Sequence, residues 1–367
     1  MSDEEYGLSK IPDSHEVEPP DYPYRATLPK SYSPKIGLIG AGGITAHHLK
    51  AYRRMGLDVA AICDTQIERA SERRDEFYPD AMVTSDYQDV LNREDIEVVD
   101  IATHPEPRVS LVQHALEAKK HVLSQKPFVL DLEIGRQLVR TAKQNGVKLA
   151  VNQNGRWAPH FHYLVQLIEA GIIGDVTSID VCMQWDHMWT AGTPFEEIHH
   201  LILYDFAVHW FDIVTAMMDG KIAWRVFASV GMAAGQTVKP PFLASVIIDY
   251  EGTQVRLSFN ATVALGQEDR TIVCGTKGTL RSIGPGLNDQ EVQVWTEAGF
   301  AKKAFDGNWF DDGFVGTMAE LLCAIEENRE PWNAASSNLK SLQLCFAAIE
   351  SANRGEAMGP AQCTKLL

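Results

Sequence analysis

Ile36-Gly37-Leu38-Ile39-Gly40-Ala41-Gly42-Gly43-Ile44 joins an apolar strand to a helix through glycines. In such a joint the first glycine permits a tight turn, and the second lets backbone approach a pyrophosphate. The helix N-terminus that follows offers unpaired N–H groups to the anion. Thr45 stands at the third position of the G-x-G-x-x-G pattern, where Gly or Ala is usual. About 20 residues further on, Asp64 ends a second predicted strand, where an acid accepts hydrogen bonds from an adenosine ribose. The competing reading of Asp64 is a cap for the next helix. Thr65 follows, with no Arg to pair a 2′-phosphate, so NAD is expected rather than NADP.

Working outward, the first half alternates strand and helix. Strands are predicted at 35–39, 58–63, 98–102, 121–124 and 147–151, and helices at 44–55, 67–77, 109–118 and 132–145. Gly146 stands just beyond the last helix as a C-cap. This alternation predicts a parallel sheet covered on both faces. From about residue 152 the rhythm changes to successive strands at 176–185, 226–233, 244–250, 254–262, 271–274, 279–283 and 291–295. Helices are predicted at 161–170, 201–218, 314–328 and 338–352. Short turns such as Tyr250-Glu251-Gly252-Thr253 make that second sheet antiparallel, and the alternation of Gln254 to Phe259 leaves one of its faces needing a cover. The reading is therefore α/β: an acidic, Pro-rich arm (1–33), a Rossmann domain (34–152) and a substrate-binding and oligomerisation domain (153–367). The arm is expected to be disordered alone or to wrap a neighbour.

The net charge of −16 argues against a nucleic-acid backbone as partner. No run approaches roughly 18 apolar residues, and Met1 to Pro20 lacks the pattern of a secretory signal, so neither a membrane nor export is expected. Six scattered cysteines without a C-x-x-C read as reduced thiols in a cytoplasmic protein.

Further motifs fall in order: Ile101-Ala102-Thr103, Gln125-Lys126-Pro127, and Asp205-x-x-x-His209-x-x-Asp212. Together with Gly40-x-Gly42-Gly43-Ile44 and Asp64, they make residues 34 to 350 resemble the Gfo/Idh/MocA oxidoreductases. The resemblance implies a Rossmann domain, then an α/β domain with a large open sheet that often forms the oligomer interface. It implies reversible oxidation of a secondary ring hydroxyl with a nicotinamide. It maps the E-K-P lysine onto Lys126 and the D-x-x-x-H pair onto Asp205 and His209, with Pro127 in a cis geometry. Gly40, Gly42, Gly43, Ile44, Asp64, Thr103, His104, Gln125 and Lys126 are the cofactor-binding candidates. The chain departs from the pattern at Thr45, at Gln125 (the family has Glu) and at Arg108, where the family has a histidine five residues after Thr103 while His104 sits nearer.

Oxidising an alcohol requires a base near the hydroxyl, and an imidazole suits neutral pH. His209 is the base candidate, Lys126 the group that binds the reacting oxygen, and Asp205 the support for both. Asp205 and His209 are four apart, which places them on one helical face; the bland alternative is a buried structural pair. Asn152, Asn154, Arg156 and Trp157 follow the last Rossmann strand and are read as lining the cleft, or else as a polar linker. Trp185, His187 and Trp189, then His199 and His200, offer aromatic faces and short polar groups for a polyhydroxylated ring, or else interface packing. Substrate contacts are thus expected from Asn154, Arg156, Trp157, Trp185, His187 and His200. The length of that aromatic stretch favours a glycoside, oxidised at a position such as C3, over a bare monosaccharide. His187, His199, His200, Asp205 and His209 lack tight ligand spacing, so no metal is expected. A homo-oligomer, dimer or tetramer, is expected. Two other readings stand: a non-catalytic NAD-binding regulatory subunit, and a redox-neutral lyase or glycosidase that keeps NAD bound.

Overall fold

A computed structural model describes residues 14–366. Six strands, β1 (Lys35–Ile39), β2 (Asp58–Cys63), β3 (Met82–Thr84), β4 (Ile96–Ile101), β5 (His121–Ser124) and β6 (Leu149–Val151), form a parallel sheet in the order β3-β2-β1-β4-β5-β6. Helices α1 (Thr45–Arg54), α2 (Ile67–Phe77), α3 (Tyr87–Leu91), α4 (Pro105–Glu117) and α5 (Leu132–Asn145) make the crossovers. The strand order reverses beside β1, which opens a crevice at the carboxyl ends of β1 and β4. Gly146 closes α5 at φ 70°, as its position predicts. The short β3 and α3 were not expected; three or five residues are too few to show a period.

The second half begins with α6 (Pro159–Glu169). Its eight strands are β7 (Val176–Gln184), β8 (Arg225–Gly231), β9 (Leu243–Tyr250), β10 (Thr253–Asn260), β11 (Glu268–Gly275), β12 (Gly278–Gly284), β13 (Glu291–Thr296) and β14 (Gly299–Ala304). They run in the order β14-β13-β12-β11-β7-β10-β9-β8, antiparallel except where β7 meets β10. On β10 the residues Val255, Leu257 and Phe259 are buried while Gln254, Arg256 and Ser258 are exposed, the one-faced burial the alternation predicts. Helices α7 (Val208–Met217) and α9 (Ala335–Arg354) pack together on the inner side.

Helix α8 (Trp309–Glu326) turns back across the first sheet's layer. Its Phe314, Met318, Leu321 and Leu322 share an apolar cluster with Ile36, Leu38, Leu49 and Tyr52. Late sequence thus completes the core of the nucleotide-binding half.

The arm also differs from expectation, for its described part is strapped to its own chain. Phe300 on β14 exchanges backbone hydrogen bonds with His15 and Val17, and Tyr163 donates to the carbonyl of Pro20. Extended, Pro-rich backbone cannot pair with itself, so it satisfies its donors elsewhere. The carboxylate of Glu326 accepts three of them, from Lys30, Ser31 and Tyr32, and these bonds hold its pKa down at about 2. The acidic residues at 3–13 lie outside the described residues.

Candidate active site

Gly40 adopts φ +95°, and a Cβ there would lie 2.9 Å from the backbone of Ala102, so only glycine fits. At Gly42 and Gly43, by contrast, a Cβ would meet nothing within 4 Å. The loop thus leaves an open cradle in front of α1, whose N-cap is Ile44. Thr45 fits at the third position because its hydroxyl turns back to the carbonyl of Gly42 at 2.6 Å. Asp64 tethers this loop: one oxygen accepts the Ala41 N–H at 2.8 Å, the other that of Gln66 at 2.9 Å. Each oxygen keeps lone pairs for ribose hydroxyls. An open glycine cradle before a helix N-terminus and a half-buried carboxylate at the end of β2 fit NAD. Thr103 and the exposed His104 stand at the mouth of this crevice, His104 as the N-cap of α4.

Lys126 follows β5 through a cis peptide bond to Pro127. Its Nζ donates to the carbonyl of Asp205 at 2.8 Å and to its carboxylate at 3.2 Å. Asp205 lies not in an α-helix, as its spacing suggested, but in a π-helical turn, Ile202–Phe206, closed by Ala207 N–H on the carbonyl of Ile202 at 2.7 Å. Such turns occur frequently at functional sites. Asp205 grips Lys126 and makes no hydrogen bond to His209. His209 opens the second turn of the site at the start of α7. Its ring packs edge-on to Trp309 at 5.7 Å, and its Nδ1 has no partner among the described residues. Burial, with the charge of Lys126, pushes the His209 pKa well below the ordinary imidazole value. The ring is therefore neutral at physiological pH, the form that takes a proton.

His187 stands on the other side of this centre. Burial lowers its pKa to about 4, with Asp205 raising and Lys126 lowering it. Trp185 donates its indole N–H to His187 Nδ1 at 3.0 Å and stacks on Phe206 at 4.0 Å. Trp189 is 60% exposed, its ring 5.0 Å from His187 and 5.6 Å from Phe195. His200 lies apart from this group, bonded through Nε2 to Asn353 at 2.7 Å. Two substrate candidates are turned inward instead. Arg156 is 2% exposed and forms a two-pronged ion pair with Asp212 at 2.6 and 2.9 Å; Trp157 is 3% exposed against Trp332. An arginine charge buried beside apolar rings needs that carboxylate more than it needs a ligand. Asn154 spends its Oδ1 on the indole N–H of Trp309 at 3.1 Å.

Residues the spacing did not reveal complete the setting. Trp309, at the start of α8, links Asn154 to His209. Arg108, noted only as a departure, is buried and donates to the carbonyls of Thr103, Gln125 and Pro127. Burial lowers its pKa to about 10, so it stays charged. An acid (Asp100) within an apolar run was the signal available. Among the described residues no group of three His, Cys, Asp or Glu is placed to hold a metal, and no helix is long and apolar enough to cross a membrane.

Comparison with known proteins agrees with this geometry. Residues 34–153 match the oxidoreductase family with an NAD-binding Rossmann fold, and residues 161–281 match the GFO/IDH/MocA C-terminal domain. The chain belongs to the Gfo/Idh/MocA oxidoreductase family and carries its NAD-binding Rossmann domain. It is 25% identical over 343 residues to a D-apiose dehydrogenase of Paraburkholderia graminis, covering 88% of this chain and 89% of that one. It is 24% identical over 326 residues to an inositol 2-dehydrogenase of Rhizobium meliloti, covering 86% and 96%. An oxidoreductase from Agrobacterium radiobacter, solved with NAD+, L-tartaric acid and magnesium, shares the fold at a TM-score of 0.81 and 22% identity, covering 90% of this chain and 99% of that one.

Proposed function

We propose that this chain is an NAD-dependent dehydrogenase that reversibly oxidises a secondary ring hydroxyl of a sugar, cyclitol or glycoside. The observation that carries the reading is an ammonium, Lys126, held by Asp205 at the end of a Rossmann strand within the electrostatic reach of a neutral imidazole, His209. In this reading Lys126 donates a hydrogen bond to the reacting oxygen and offsets the negative charge that grows there. His209 takes the hydroxyl proton. Asp205 fixes the lysine and partly balances its charge. Bound NAD supplies the hydride acceptor. The names of the sugar and inositol dehydrogenase relatives support the substrate class.

The exposed face of Trp189, shelved between His187 and Phe195, supports a substituted ring over a free monosaccharide, because an apolar face binds the C–H side of a second group. Turnover with NAD and with NADP is to be measured across glycosides, free aldoses and inositols. The expected result is NAD-linked oxidation with glycosides fastest. Faster turnover of free glucose or inositol removes the glycoside assignment, and no oxidation of any polyol removes the whole reading. The six free cysteines support a reducing, cytoplasmic setting.

The outer face of the eight-stranded sheet supports self-association. Phe227 and Ile247, paired across β8 and β9 on the exposed face, are 41% and 38% exposed, an apolar surface suited to a second copy. Light scattering at micromolar concentration is expected to give a dimeric or tetrameric mass; a monomeric mass overturns it.

A further inference from the structure

Two departures from the family pattern, Gln125 and Arg108, both close on the backbone of Lys126, and the chemistry above uses neither. Arg108 binds the carbonyls of Gln125 and Pro127, on either side of the lysine. Gln125 takes the polar atom between them: its Oε1 accepts the Lys126 N–H at 2.6 Å. Its Nε2 turns the other way and lies 3.1 Å from His48 Nε2, which Asn152 Nδ2 also meets at 3.1 Å. His48 Nδ1 lies 2.6 Å from Asp100 Oδ2, and the Tyr52 hydroxyl donates to that same oxygen at 2.6 Å. Every member is buried; His48 and Asp100 are completely so.

We propose that Tyr52, Asp100, His48 and Gln125 form a buried positioning file that fixes the backbone of Lys126, and through it the ammonium, by holding His48 in a single tautomer. The inference rests on the reading of Lys126 as the group that binds the reacting oxygen. Its logic is donor counting. Gln125 Oε1 accepts the Lys126 N–H, so its amide nitrogen faces His48 Nε2; that ring nitrogen must accept, which leaves the ring proton on Nδ1, toward Asp100. A bare nitrogen accepts from the amide groups of Gln125 and Asn152. A glutamate at this position would set acceptor against acceptor in a dry site, where an unmade hydrogen bond is most destabilising. Unless it took up a proton, which would restore both bonds, it would have to swing away from Lys126. The glutamine before Lys126 thus follows from the acid Asp100, through the tautomer of the histidine between them.

The test compares the wild type with Gln125→Glu and with Gln125→Glu/Asp100→Asn, each labelled with 15N-histidine. A His48→Gln protein identifies the His48 signals. In the wild type, Nδ1 is expected to be protonated and Nε2 bare. Gln125→Glu is expected to lower the melting temperature and, per folded NAD-loaded subunit above neutral pH, to lose kcat by on the order of 10²-fold, the scale for a displaced catalytic group. In the double variant the amide introduced by Asp100→Asn donates to Nδ1 and the tautomer reverses. Nε2–H then donates to the carboxylate introduced by Gln125→Glu, so kcat is expected to recover most of that loss. A structural role predicts no such rescue. A proton on wild-type Nε2, unchanged kcat in Gln125→Glu, or a folded double variant no faster than the single overturns the file. A wild type that oxidises no polyol overturns the dehydrogenase reading alone, because the tautomer and its reversal are read without substrate.

Discussion

His209→Ala and Lys126→Ala are each expected to bind NAD normally and to lose turnover by about 10²- to 10⁴-fold, the range for a positioned acid–base group. NAD affinity is expected to be kept because the cradle at Gly40 to Gly43 and Asp64, the proposed ribose ligand, are built on β1, α1 and the end of β2, away from α7. The two losses are not expected to add, since the residues act on one proton and one oxygen as a unit. The pH profile gives a second reading of His209. Its pKa lies well below 6.5 in the folded protein, so the imidazole stays neutral as pH falls through 6.5 and protonates only further down. Oxidation by the wild type is therefore expected to show no acid limb centred near pH 6.5. An acid limb there, or a His209→Ala protein with near-normal activity per folded, NAD-loaded subunit, removes the histidine from the mechanism.

The first sheet was legible because its signals are local. A strand ending in Gly40, an acid ending the next strand and Gly146 closing α5 each fix a backbone state within a few residues. The second sheet was legible from alternation, but the edge strand β14, Gly-Phe-Ala-Lys-Lys-Ala, is too polar to read as one. What the spacing could not give is which partner a polar side chain chooses. Asp205 and His209 are four apart, yet the π-turn breaks the helical face between them and gives Asp205 to a lysine 79 positions away. Arg108 looked like a lost histidine and serves as a clamp on three carbonyls. Trp309 could not be placed beside His209 from sequence, because its approach depends on α8 crossing back to the first sheet's layer.

Arg156 marks the sharpest divide between the two kinds of reading, and its substitution separates them. Were it a substrate ligand, Arg156→Met would raise KM and leave stability alone. The structure requires the reverse. The guanidinium and the Asp212 carboxylate are each 1% exposed, and Ser341 and the carbonyl of Trp332 complete their hydrogen bonds. Removing one member leaves the other charged in a dry interior, a loss of about 3–5 kcal/mol. Arg156→Met and Asp212→Leu are each expected to lower the urea midpoint by that amount of stability, while KM of the folded fraction stays near the wild-type value. The double variant is expected to lose less than the sum, because no lone charge remains. This pair joins the turn Asn154–Trp157 to α7, three residues from His209, and α7 to α9 through Ser341. In the proposed mechanism it acts on catalysis only by keeping α7, which carries the proposed base His209, in place. A raised KM in a protein of wild-type stability would return Arg156 to the substrate cleft.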